Sequence, residues 1–309
     1  MAKVNNRNLF KKFTLAEQAI LTTLLYSDIF SFPLTKDELW RFLIAEKKIS
    51  RSAFDSSLLS LRKQINVKEG YYCLPGREET ISRRKKNLLF VEKKMQRALF
   101  VAEKLASIPS ILFIGVSGGL AVGNATEKDD IDFVIITKEN ALFTTRLWIL
   151  IILEGLGVRR HRNQKKTADT ICVNLLFDET ALAWPKDLHD LYSAREIAQI
   201  LPLFERNKLY QQFFFANSWI KHFLPNILPQ KVVITKVPYS ILTQVGYTIF
   251  GNTFVEFFSR VLQRNWMKRH QTRETITKHV LAFHPNDYRT QTFSQMRLKA
   301  RQLGLLTKF

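Results

Sequence analysis

Ser117 to Thr137 reads SGGLAVGNATEKDDIDFVIIT. An apolar run, Ile111 to Val116, enters this stretch and ends at Gly118 and Gly119; a second, Ile131 to Ile136, leaves it. If the second run is a strand, residues two apart project to one face. Asp130 and Asp132 then stand side by side, while Ile131 and Phe133 point the other way. Two like charges that close repel unless something cationic lies between them. Hard divalent cations suit such a pair, and Mg²⁺ commonly takes one or two carboxylates and completes its shell with substrate phosphates. Glycines just upstream let a backbone approach a phosphate closely and present N–H groups to it. The stretch therefore reads as a metal–nucleotide site.

The order strand, glycine pair, ten residues, Asp-x-Asp, strand resembles the DNA polymerase β-like nucleotidyltransferase superfamily. Here it is Gly118-Gly119 followed by Asp130-Ile131-Asp132. The resemblance implies that Ser117, Gly118 and Gly119 hold a triphosphate, and that Asp130 and Asp132 hold Mg²⁺ or Mn²⁺. The usual serine of the glycine–serine pair is Gly119 here. The resemblance also implies a third carboxylate in the middle of a later strand. That strand, Thr170 to Phe177, carries Asn174 instead, a neutral group that ligates only through its carbonyl oxygen. Asp169 just before it and Asp178-Glu179 just after it are the nearest acids.

The 309 residues are enough for two or three domains with sizeable cores. Lys and Arg number 47 against 27 Asp and Glu, a net charge of +20. That excess favours polyanions: a nucleoside triphosphate, nucleic acid or an anionic membrane. The two cysteines, Cys73 and Cys172, sit in apolar runs and read as small core residues. No cysteine–histidine cluster has zinc spacing. The N-terminal residues lack the apolar run of a signal peptide, which points to the cytoplasm.

Residues 1–76 read as a winged helix. Thr14, Thr35 and Ser50 start three helices, the first two with Glu17 and Glu38 as capping-box partners. A hairpin follows, turning at Glu69-Gly70. Such a module places its third helix on DNA or serves as a protein contact. Residues 77–107 read as a basic helical connector, with Arg77, Arg83, Arg84, Lys85, Lys86, Lys93, Lys94 and Arg97. The resemblance places its core at residues 108–226, with helix 140–157, strand 170–177 and helices from Pro185 to Phe223 broken at Pro202. Residues 227–309 form a helical, basic C-terminal region. Its apolar stretch 239–263 is interrupted by Gln244, Asn252, Glu256 and Arg260, so it reads as a packed or partner-facing helix and not a membrane span. Phe283-His284-Pro285 suggests a tight turn.

The expectation is an α/β (α+β) protein with a mixed sheet: a polymerase β-like core, an N-terminal winged helix and a helical C-terminal region. The implied reaction moves a nucleoside monophosphate from an NTP to an acceptor, with Asp130 and Asp132 holding two metal ions. The alternative is a degenerate core acting as a nucleic-acid-binding regulator. A dinucleotide fold using Gly115, Gly118 and Gly119 fails the G-x-G-x-x-G spacing. A membrane-surface protein using the 239–263 helix is the third reading.

Overall fold

Each N-terminal helix starts where a side chain closes its first turn. In α1 (Leu15–Ile29) the Thr14 hydroxyl accepts from Glu17 N–H, and the Glu17 carboxylate accepts from Thr14 N–H. The same reciprocal box opens α2 (Lys36–Arg41) with Thr35 and Glu38. Ser50 caps α3 (Arg51–Ser60). These boxes satisfy backbone donors that a helix start otherwise leaves unpaired. Strands β1 (Leu34–Thr35), β2 (Asn66–Lys68) and β3 (Tyr71–Cys73) form a three-stranded sheet of order β1-β3-β2. Glu69 and Gly70, both at positive φ, make the two-residue turn that the right-handed strand twist favours. The three helices and the hairpin match the elements read from the sequence. The computed structural model describes residues 13–161, 164–234, 252–268, 275–283 and 288–302.

Helix α4 (Glu79–Leu105) leads into the main sheet. Its strands are β4 (Ile111–Val116), β5 (Ile131–Thr137), β6 (Ile171–Asp178), β7 (Leu201–Glu205), β8 (Thr275–Ile276) and β9 (Val280–Ala282), in the order β7-β4-β5-β6-β9-β8. Among the named strands of this sheet β5–β6 pair parallel and the other pairs are antiparallel. The sheet is therefore mixed, and the α/β class holds. Short α5 (Gly118–Ala121) follows β4, and α6 (Leu142–Gly155) crosses between β5 and β6. Helices α7 (Leu191–Gln199), α8 (Leu209–Ala216), α9 (Thr253–Lys268) and α10 (Tyr288–Gln302) complete the described chain.

Two points differ from the sequence reading. The break at Pro202 is the edge strand β7, paired antiparallel to β4. An edge strand tolerates a residue with no N–H to give to a ladder. In the C-terminal region, read as helical, β8 and β9 extend the sheet beyond β6. Part of the 239–263 stretch and the turn at His284-Pro285 lie outside the described residues.

Strand alternation sends side chains to two cores. Ile114, Val116, Ile131, Phe133 and Ile135 join α4 and α6 on one face. Phe113, Val134, Ile136, Leu175 and Phe177 join α7, α8, α10 and the N-terminal module on the other. That second core runs without a break from Ile20 in α1 to Met296 and Ala300 in α10.

Candidate metal and nucleotide site

β4 and β5 are antiparallel and β5 and β6 parallel, so the end of β4 meets the starts of β5 and β6 at one sheet end. Ser117 N–H donates to the Asp132 carbonyl at 2.9 Å, continuing the β4–β5 ladder into the glycine turn. Asp132 pairs in register with Cys172 of β6. Asp130, Asp132 and Cys172 each bring a ligand atom within 4.8 Å of the others, a set that could hold a metal ion. The sequence brought together Asp130 and Asp132; Cys172 it placed in the core. That expectation fails because the parallel register carries Cys172, half-buried, to the same sheet end as the acids.

Gly118 is held against this cluster. Its φ is +64, and a Cβ there would come within 2.9 Å of Asp132 Oδ2. Glycine alone meets both conditions: it adopts the left-handed region at no steric cost and leaves the carboxylate its space. Gly119 has ordinary clearance, with Ala125 Cα the nearest atom at 3.6 Å. The Gly119 carbonyl accepts from Asn124 N–H at 2.8 Å, which closes the turn.

Arg160 crosses the site. Residues 158–160 pair alongside the start of β6: Ile171 N–H donates to the Val158 carbonyl at 2.7 Å, and Arg160 N–H to the Ile171 carbonyl at 3.1 Å. This register delivers the Arg160 guanidinium to Asp130, with which it forms a salt bridge. Burial, then Asp130, pushes the Asp132 carboxyl up to about 7; Arg160 opposes the rise, and Glu196 on α7 adds to it. Burial and the neighbouring Asp132 likewise push the Cys172 thiol up to about 12, so it stays protonated at neutral pH. Burial works against the Arg160 charge, but Asp130, Cys172 and Asp132 outweigh it and its pKa is raised.

Glu196 is the functional candidate that sequence reading missed. It lies one helical turn before Ile200, whose Cγ2 would be 2.8 Å from a Cβ on Gly115. Gly115 pairs with Val134, two residues beyond Asp132. Burial lifts the Glu196 carboxyl to about 7, against the opposing charge of Arg195. The i, i+4 spacing of Glu196 and Ile200 was legible, but not which sheet face α7 covers.

The other candidate acids go elsewhere. The buried Lys94 of α4 donates to the Glu127 and Asp129 carbonyls at 3.2 and 2.6 Å and to Asp169 Oδ1 at 2.7 Å. Burial alone would raise the Asp169 carboxyl, but Lys94, Lys93 and Arg97 hold it below the usual carboxylate range. Asp169 thus anchors the loop that leads to Asp130. Asp178 lies at the opposite end of β6, about 20 Å along the strand at ~3.3 Å per residue, bonded to His279. Asn174 occupies the register shift in β6, where Phe133 pairs with Val173 and Val134 with Leu175. Its backbone carbonyl accepts from Phe283 N–H at 2.9 Å. His189 stacks on Trp219 at 3.9 Å, and His161 approaches Glu154.

Several basic residues of the sequence reading are internal ties. Arg84 reaches both Glu38 carboxylate oxygens, at 2.7 and 2.6 Å, and Lys94 is 1% exposed. Arg146 of α6 likewise donates to Gln263 Oε1 at 2.7 Å, with its pKa lowered to about 10 by burial. Among the described residues no helix is long and apolar enough to cross a membrane.

Set against known protein families, curated proteins and solved structures, the chain matches none.

Proposed function

We propose that the chain is a metal-dependent nucleotidyltransferase that moves a nucleoside monophosphate from an NTP to an acceptor. The observation that carries this reading is the seating of the Asp132 carboxylate against the Gly118 turn, with Asp130 and Arg160 beside it. The donor set suits a hard cation at two positions: the carboxylates of Asp130 and Asp132 offer oxygen. The neutral Cys172 thiol does not suit Mg²⁺. Two acids facing one arginine leave a net single negative charge, which favours one divalent ion over two. Mg²⁺ or Mn²⁺ there would supply Lewis-acid polarisation of a phosphoryl oxygen.

The chain's own groups do the rest. Gly118 and Gly119 lay backbone N–H groups beside a triphosphate, where a side chain would obstruct it. Arg160, exchanging Asp130 for phosphate oxygens, neutralises the charge of the departing pyrophosphate. Asp132 holds the ion with Asp130, and the proton of the attacking hydroxyl would leave to water, its acidity raised by that ion. Lys94 holds the loop from Glu127 to Asp129 and so fixes where Asp130 begins.

The test is incubation with each labelled NTP, Mn²⁺ or Mg²⁺, and hydroxyl-bearing acceptors, with Asp130→Asn and Asp132→Asn as controls. Transfer by the wild type and its loss in both variants is expected. Transfer that persists in the double variant rules the site out. Cys172 beside the acids, where a third charge would serve a second ion, favours a second reading: the site binds a nucleotide and regulates nucleic-acid binding without transfer. Metal-dependent NTP binding with no labelled product selects it.

A further inference from the structure

Helix α9 shows the solvent a stripe of five large apolar side chains. Phe254, Phe257, Phe258, Val261 and Leu262 recur at i, i+3, i+4, i+7 and i+8, one face of a helix. Phe254 is 77% exposed, Phe258 68% and Leu262 70%. The opposite face is already used. Glu256 accepts from Phe143 and Thr144 N–H at 2.9 Å each, Gln263 bonds Arg146 and the Phe143 carbonyl, and Met267 joins the core. The stripe is therefore not a misplaced core face, since α9 is anchored through its other side. Leu147 and Ile151 of α6, the helix on which α9 packs, are exposed as well.

Charge selects the occupant. Glu256 is the one acid of α9, and it is buried behind the stripe. Arg260 and Arg264 both lie along one edge of the stripe, Arg260 5.7 Å over the Phe257 ring. The chain carries a net charge of +20. A convex row of phenylalanines bordered by arginines fits the headgroup boundary of a bilayer, which needs no complementary groove and takes apolar side chains a few ångströms deep. Anionic lipid adds attraction for each cation near the surface. We infer that α9 docks the protein on the surface of an anionic membrane, the phenylalanine stripe inserted and Arg260 and Arg264 at the phosphates.

The test is flotation of the full chain with vesicles of phosphatidylcholine alone or containing phosphatidylglycerol. Binding to the anionic vesicles, weakened by salt, is expected. Phe254→Ser combined with Phe258→Ser should weaken it ~10-fold or more, because each inserted phenylalanine contributes apolar burial, with thermal melting unchanged. Phe254→Trp should show blue-shifted emission relative to wild type on anionic vesicles only. Flotation that survives the double substitution overturns the inference, as does an unshifted emission spectrum for Phe254→Trp. Absence of flotation overturns it too, whether the chain sediments as a monomer or as a dimer that the double substitution dissociates.

Discussion

Asp132 is held where its charge is unwelcome. Its carboxyl titrates at about 7 in the folded chain, against about 4 when unfolded. The folded state therefore keeps its proton where the unfolded state has lost it. That contribution is fully present below pH ~4 and is lost as pH rises through ~7. Asp132→Asn removes the titration, so in chelator the variant should gain little at pH ~4.5 and about 1–3 kcal/mol over wild type at pH ~8. Melting curves at the two values check this, and equal gains would place Asp132 in solvent. Cys172→Asp puts an ionised oxygen beside both acids. It should tighten Mn²⁺ binding about 10-fold by calorimetry and lower the melting temperature in chelator, because three acids then repel. Asn174→Asp, at the register shift, should do less. Gly118→Ala should cost about 1–3 kcal/mol, for a strained φ and a Cβ against Asp132 Oδ2. Chemical denaturation measures it.

Among the elements, α6 has no cap of its own: Ala141 stands at its N-cap without a side-chain bond. Glu256 of α9 supplies the missing acceptor from far along the chain, taking the Phe143 and Thr144 N–H groups. Its negative charge also suits a helix start. Glu256→Ala should therefore cost about 1–3 kcal/mol by denaturant titration and raise hydrogen exchange at the first turn of α6. This is the kind of contact a sequence conceals, since Ala141 and Glu256 show no local signal. The strands β4, β5 and β6 were legible as apolar runs, and the first three helices from Thr14, Thr35 and Ser50. β7 was not, because Pro202 reads as a breaker until its place at the sheet edge is known. Half the candidate site was legible for the same reason. Asp130 and Asp132 are neighbours in sequence, whereas Cys172 reaches them through the parallel register of β5 and β6.

At the scale of the whole molecule, the N-terminal module and the C-terminal helix share one core. Met296 and Ala300 of α10 sit with Ile20, Leu24 and Leu25 of α1 in the same cluster. Arg77 and Lys299 both pair with the buried Asp28 at the end of α1. Met296→Ala should cost about 2–5 kcal/mol, and the loss should appear in a single transition followed by helical and aromatic signals alike. Two separated transitions would show the module folding by itself. The joint core also bears on how the chain is born. A ribosome delivers ~5–20 residues each second, and domains ordinarily close as they emerge. Here α2 and α3 can pack on α1 soon after it emerges, but α10, which completes the cover, leaves the exit tunnel much later. A ribosome stalled upstream of α10 thus leaves the α10-facing part of α1 uncovered.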